Sequence, residues 1–253
     1  MLSALLCVKN EQEHLQACLD SLHFVDEIVV IDDESTDATA EIAKKANAKY
    51  FRHKMNDDWS AQRNFGLEQC SGDWILVIDA DERVSTELAA GIVSIVKNEK
   101  LNKRAYQLRR ENYFEREEPL HGVLRTDWVK RLFPKEGARY EGLVHEKVIT
   151  PYATEKVYVG SLSHLPYADW DEYFGKFNRY TKLAAKQKFE HDDRAKVYFV
   201  FDILIRPFFA FLKMYFLERG FLDGKVGFIL SVNHYFYTMT KYVRLMALKE
   251  GRQ

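Results

Sequence analysis

Through the first hundred positions, short apolar runs alternate with longer stretches whose apolar residues recur at helical spacing. Leu2–Val8 is one such run, and the polar Lys9-Asn10-Glu11 follows it directly. A helix is predicted from about Glu11, with Leu15, Cys18, Leu19 and Leu22 on one side. Glu27–Ile31 predicts a second strand ending in Asp32-Asp33-Glu34-Ser35-Thr36-Asp37. Thr36 or Asp37 can cap the next helix, which carries Ala40, Ile42, Ala43 and Ala46. Lys49–Arg52 predicts a third strand, and the stretch from about Ser60 to Gln69 a helix. Trp74-Ile75-Leu76-Val77-Ile78 fits a strand buried on both faces, and Thr86 to about Lys97 a helix after it. This alternation is the βαβ signature of a parallel sheet.

Beyond about residue 100 the pattern changes. Ala105–Arg110, Trp128–Pro134 and Lys156–Leu162 predict strands that close or extend the sheet. Tyr113–Arg125 reads as a mixed loop, and Arg139–Glu146 as a polar turn beside a strand. Asp169 to Phe189 predicts a long helix. Residues 197–219 are almost wholly apolar and aromatic. On a helix, Asp202, Arg206 and Lys213 would share one narrow face, as their spacing by 4 and 7 implies. Three charges and Pro207 make a membrane span a poor fit, whereas a helix lying in a membrane interface fits well. A further apolar helix follows Gly220–Lys225 and ends basic, with Lys241, Arg244 and Lys249. Packing on the sheet, or a homodimer interface, is the alternative for both helices. The division expected is 1–165 for an α/β domain and 166–253 for a helical C-terminal region.

Composition narrows the partners more than the fold. A formal charge of -1 over 253 residues offers no polyanion-binding surface, so nucleic acid is not expected. Three widely spaced cysteines, Cys7, Cys18 and Cys70, suggest neither a zinc site nor a disulfide framework. No basic-led apolar leader precedes the first strand, so a reducing, cytoplasmic setting is expected.

Four polar clusters fall where a nucleotide site would need them, past the ends of strands or at a helix start. They are Asn10-Glu11, Asp32-Asp33, Trp59–Asn64 and Asp79-Ala80-Asp81. If the backbone stayed extended, Asp79 and Asp81 would point the same way and could aim at one ion. Such hard oxygen ligands suit Mg²⁺ or Mn²⁺, with phosphate completing the shell. Capping of the helix near Thr86 is the plainer role for the pair. Neither a Gly-x-Gly-x-x-Gly nor a Walker lysine loop follows the first strand, which argues against a dinucleotide cofactor or a triphosphatase. A nucleoside diphosphate gripped by carboxylates and a metal remains.

Three of these stretches, in order, resemble glycosyltransferase family 2. They are Val29–Asp37, then Gln62-Arg63-Asn64-Phe65-Gly66, then Gly72–Glu82; the resemblance covers about residues 1–150. Glu34 stands where the family usually has glycine. Within the family the chain is most similar to the lipopolysaccharide inner-core glucosyltransferases, through Arg131–Pro134, Glu141–Glu146 and Arg219–Gly224. The resemblance implies a GT-A fold, a Rossmann-like mostly parallel α/β sheet flanked by helices. It implies an inverting transfer of glucose from UDP-glucose to a lipid-anchored heptose, at the cytoplasmic face of the inner membrane. UDP-galactose or another acceptor, and a non-catalytic nucleotide-sugar-binding protein, are the alternatives.

By the same resemblance, Asp33 or Asp32 would meet the base or ribose, with Asn10 and Glu11 beside them. Asp79 would approach the ribose or donor sugar, and Arg63 and Asn64 would steady the diphosphate or sugar. Asp81 would ligate Mg²⁺ or Mn²⁺, and His145 could join it or simply satisfy a local hydrogen bond. Glu146 is the expected general base, with Asp127 and Glu141 as competitors. Arg109, Arg110, Arg116 and Arg125 could meet acidic groups of an acceptor, or be solvated surface charge.

Overall fold

The computed structural model describes residues 1–98, 103–142, 146–191 and 197–251. The chain divides into two compact units: Met1–Glu111 with Asp127–His164, and Asn112–Thr126 with Leu165–Gln253. The second unit therefore takes fifteen residues from the middle of the chain as well as the C-terminal helices, a segment that the sequence marks only as a loop between two strands.

The first unit is built on an eight-stranded mixed sheet. Its strands are β1 (Leu2–Val8), β2 (Glu27–Asp32), β3 (Lys49–Arg52), β4 (Trp74–Val77), β5 (Glu82–Val84), β6 (Ala105–Asn112), β7 (Asp127–Pro134) and β10 (Thr154–His164). The order is β3-β2-β1-β4-β7-β6-β10-β5, and β8 (Arg139–Glu141) pairs with β9 (Lys147–Ile149) as a separate ribbon. β1, β2, β3 and β4 run parallel, whereas β4–β7, β6–β7 and β10–β5 pair antiparallel. The helices are α1 (Leu15–Asp20), α2 (Thr39–Lys45), α3 (Trp59–Gln69) and α4 (Thr86–Asn98). The α/β class is as expected. β5, β8 and β9, of three residues each, lie below the length at which apolar periodicity marks a strand.

Alternation within the central strands explains their continuous apolar runs. Leu6, Val30, Leu76 and Ile78 join Leu15, Leu19, Leu88 and Ile92 in one cluster. Their neighbours Leu5, Val29, Ile31, Ile75 and Val77 join Leu67 of α3 in the other. Each strand thus feeds two cores, as parallel strands covered on both faces must. α3 reaches the sheet closely at Gly66, where a Cβ would lie 2.5 Å from the Leu5 side chain. Asp58 caps this helix by accepting from the Ala61 amide at 2.8 Å.

Glu27 anchors the amino end of β2. Its buried carboxylate accepts from Ser3 Oγ, from Lys49 Nζ and, at 2.8 Å, from the Ser71 amide. Burial raises its pKa, but the Lys49, Ser3 and Ser71 bonds outweigh this and bring it from 4.5 to about 2. The unfolded group binds a proton first, so its stabilisation is fully present above about pH 4.5 and disappears as pH falls through about 2. Glu27→Gln is accordingly expected to flatten the acid loss of stability over that window. Urea unfolding at stepped pH would check it, and parallel wild-type and variant curves would refute it.

The second unit is helical. α5 (Trp170–His191) and α7 (Gly224–Lys249) flank a helical run in which α6 (Arg206–Leu212) lies between π turns at Phe199–Ile205 and Lys213–Leu217. Phe114, Leu120, Tyr173 and Leu230 form one cluster; Ala185, Ile203, Tyr242 and Leu245 form another. Asp202 and Arg206 pair one turn apart, as their spacing implies. Asp202 is buried and holds Arg206 Nε at 2.8 Å, whereas Lys213 is 54% exposed. Asp223 is also buried, accepting from Arg116 at 3.0 Å and from the His121 amide at 2.8 Å. Among the described residues, no helix is long and apolar enough to cross a membrane.

Candidate active site

β1 lies between β2 and β4, so the chain leaves it first toward one edge and then returns on its other side. Ligands of open α/β sheets bind at such a switch point, outside the carboxyl ends of the strands. The polar clusters of the first unit follow the ends of β1, β2 and β4.

Asn10 and Asp32 hold the first two loops together. The Asn10 amide donates to Ser35 Oγ at 2.8 Å, and its Oδ1 accepts from the Thr36 amide at 2.8 Å. The Glu11 amide donates to Thr39 Oγ1 at 2.7 Å. Asp32 accepts from the Ser35 amide at 3.0 Å and from the Tyr50 hydroxyl at 2.6 Å. Asp33 accepts from Lys9 Nζ at 2.7 Å and from the Met55 amide at 2.9 Å. Burial raises its pKa, but the Lys9 and Met55 bonds prevail and lower it. Glu34 has φ +54°, the left-handed conformation that explains why glycine is usual there.

Asp79 and Asp81 diverge instead of sharing a target. The Glu82 amide donates to the Asp79 carbonyl at 3.0 Å, a turn that ends the extended geometry their i, i+2 spacing assumed. Asp79 receives Arg63 Nη2 at 3.2 Å and Arg131 Nη2 on its other oxygen. Burial pushes its pKa up, but the guanidiniums of Arg131 and Arg63 outweigh it and hold the carboxyl well below the usual range. Asp81 instead faces His164 of β10, with Nε2 and Oδ2 3.3 Å apart. Neither aspartate caps α4; the Leu88 amide donates to Ser85 Oγ at 3.2 Å.

Arg63 is the hub. It is 6% exposed, donates to Asp79, and brings Nε to 3.3 Å from Glu146 Oε1 as an ion pair without hydrogen-bond geometry. Its Nη1 is buried with no partner. A buried guanidinium left with open donors is ready for an oxyanion. Asn64 is used differently: its amide donates to the Tyr140 carbonyl at 3.0 Å and accepts from the Tyr140 amide at 2.8 Å. It ties α3 to β8, an arrangement that positions Arg63. Asp127 has both oxygens on Arg110, at 2.9 and 2.7 Å. His145 lies outside the described residues. Cys7 stands nearby, but burial pushes its thiol up to about 12, so it is neutral and no nucleophile.

Three residues at the site had no role in the sequence reading. Glu82 is fully buried and accepts from Arg131 Nη2 at 2.7 Å, from Arg110 Nη1 at 3.4 Å and from the Asp79 amide at 3.1 Å. Arg131 carries the charge between Glu82 and Asp79. His164 stands opposite Asp81. Glu82 and Arg131 lie in stretches that carry the resemblance, but nothing local pairs them or points to His164; the sheet brings the three in from β5, β7 and β10.

Among the described residues, no group of three or more His, Cys, Asp or Glu side chains could hold a metal. Asp81 and His164 together offer a divalent ion one carboxylate and one imidazole. Neighbouring ligands about 2.1 Å from an octahedral ion stand about 3.0 Å apart, close to the spacing here. A carboxylate with an imidazole suits Mn²⁺ as well as Mg²⁺.

The sheet order and the carboxylates and arginines past its strand ends define a ligand site of the open α/β type. The model for glycosyl transferase family 2 matches residues 3–151, and the chain belongs to that family. It is 31% identical to the lipopolysaccharide core biosynthesis glycosyltransferase LpsC of Rhizobium meliloti, over 98% of this chain and 94% of the relative. It is 27% identical to an uncharacterized glycosyltransferase of Rickettsia typhi, over 98% and 87%. The fold is similar to that of S. aureus TarS residues 1–349, with TM-score 0.50 and 14% identity, over 99% of this chain and 92% of that one.

Proposed function

We propose that the chain moves glucose from UDP-glucose to a heptose of the lipopolysaccharide inner core, with inversion, at the cytoplasmic face of the membrane that carries this acceptor. The observation that carries the reading is the arrangement of Arg63, with open buried donors, between Asp79 and Glu146, beside the Asp81–His164 pair. Its acceptor class is supported by likeness to LpsC. A uridine nucleotide is supported by the similar fold of TarS, which has been solved with UDP.

In this reading the base or ribose meets Asp33 in the place that the exposed Lys9 amine fills. Arg63 turns its free Nη1 to the diphosphate or the sugar, and Asp79 receives a sugar hydroxyl. Asp81 and His164 would hold Mg²⁺ or Mn²⁺, which would supply positive charge to a departing diphosphate. Glu146 takes the proton of the acceptor hydroxyl as that oxygen attacks the anomeric carbon. The bond from that carbon to UDP breaks as the new one forms, and attack from the far side converts an α-linked donor into a β-glycoside. Asp127, held by Arg110 through both oxygens, is the weaker choice for the base.

The test is transfer and hydrolysis with a panel of UDP-sugars, with Mg²⁺, Mn²⁺ or EDTA, and with or without deep-truncated lipopolysaccharide. Metal-dependent transfer from UDP-glucose alone is expected. Transfer from UDP-galactose would move the donor assignment. UDP binding without turnover on any acceptor would favour a nucleotide-sugar-binding role, and rejection of every UDP-sugar would sink the reading.

A further inference from the structure

The second unit carries an apolar surface that its own core does not use. Along the helical run from Phe199 to Leu217, Asp202, Ile203 and Pro207 turn inward. The outward positions hold Phe208, Phe209, Phe216 and Leu217, and Phe221 and Leu222 continue the patch into the following turn. Phe209 is 62% exposed and Leu217 78%, where a soluble monomer would place polar groups. Phe228 of α7 stacks edge-on against Phe211 and Tyr215 of the run, so the surface continues onto α7.

Charge decides what fits this face. From Tyr198 to Lys249 there are seven lysines and arginines against three carboxylates. Each carboxylate is already engaged: Asp202 by Arg206 at 2.8 Å, Asp223 by Arg116 at 3.0 Å, and Glu218 by Arg125 at 3.3 Å. Lys213, Arg219 and Lys225 are exposed around the aromatic patch, Lys213 with its amine 3.9 Å from Glu218. In a two-fold dimer the same patch would meet itself and gather the cations of both copies at one interface, where the carboxylates of this stretch are already engaged. A bilayer surface offers both complements at once, acyl chains for the phenylalanines and phosphates for the cations.

We propose that this face of the second unit docks in the headgroup–acyl boundary of a membrane bearing anionic lipid, with the helical run lying in the plane of the surface. Phe208, Phe209, Phe216 and Leu217 enter the acyl edge, while Lys213 and Lys225 remain at the phosphates. The proposal deepens the placement of the reaction at a membrane and rests on that reading for its biological setting. Its test needs no donor, acceptor or turnover, so it stands or fails apart from the assigned chemistry.

The experiment is flotation of the full chain with phosphatidylcholine vesicles, with and without phosphatidylglycerol. Binding to the anionic vesicles, weakened by salt, is expected. Phe208→Ser/Phe209→Ser should lower it at least about tenfold, because each ring loses its transfer into apolar surroundings. Lys213→Glu/Lys225→Glu should lower binding to anionic vesicles and leave the weak binding to neutral ones unchanged. Circular dichroism establishes that the variants fold, and a Phe209→Trp reporter, which keeps the aromatic surface, should shift its emission to the blue on anionic vesicles. Wild-type chain that stays with the buffer in both vesicle types would overturn the proposal. So would a wild-type dimer that the phenylalanine variant converts to monomer without any change in vesicle binding, since that would assign the face to a second copy.

Discussion

Asp81→Ala is expected to lower sugar transfer about a hundredfold to a thousandfold, the scale of losing a group that stabilises transition-state charge. Its side chain faces His164 and takes no part in the Arg63–Asp79–Arg131 cluster, so folding should be little affected. EDTA should reduce the wild type to a similar level, and added Mn²⁺ should restore the wild type but not the variant. His164→Ala should raise the metal concentration for half-maximal activity by at least about tenfold, the low end of what metal-shell mutations cost. Initial rates across a metal titration distinguish the cases. Full activity of the wild type in EDTA, with Asp81→Ala still inactive, would take the metal away from Asp81 and leave it a direct role toward the sugar.

The second large effect is expected at Arg131, through stability first and activity second. Glu82 is fully buried, and Arg131 is its closest counter-charge at 2.7 Å. Arg131→Met leaves that carboxylate and Asp79 without it, and breaking a buried pair from one side costs about 3–5 kcal/mol. The urea midpoint should fall accordingly, whereas Arg131→Met/Glu82→Met should recover much of the loss, because no buried charge remains unpaired. Activity carries a separate signature. Arg131 holds the Asp79 carboxyl low, so removing it raises that pKa, and the acid limb of kcat/KM should move to higher pH. A single variant as stable as the wild type would show that Arg110 alone suffices as the counter-charge to Glu82.

What could be read from sequence followed the range over which its signals act. β1, β2, β3 and β4 are visible because each is an apolar run bounded by polar residues, and β3 was located to the residue at Lys49–Arg52. The position of the carboxylates past β2 and β4 follows from the same runs. Their aim does not. Whether Asp79 and Asp81 converge depends on one turn hydrogen bond at Glu82, and no residue type in Asp79–Glu82 dictates it. Arg63 and Asn64 are adjacent and equally polar, yet one faces the cluster and the other clamps the Tyr140 backbone, a division set by the helical phase of α3 against β8. Glu82 and Arg131 sit in stretches that the resemblance marks, but their pairing, and any part for His164, is invisible until the sheet order sets β5, β7 and β10 beside the loops they serve.

The fifteen residues Asn112–Thr126 have a consequence for how the chain is made. Phe114 and Leu120 are buried against Tyr173 and Leu230, and Arg116 and His121 pair with Asp223. A ribosome releases this segment roughly a hundred residues before the last of its partners, so two apolar side chains and a cation must wait uncovered while α5 and α7 are synthesised. Folding of the first unit can proceed in the meantime only with this stretch held out as an unfinished loop. A fragment ending at residue 165 would keep that loop permanently unfinished, so its insolubility would report orphaned side chains and not a failure of the α/β sheet.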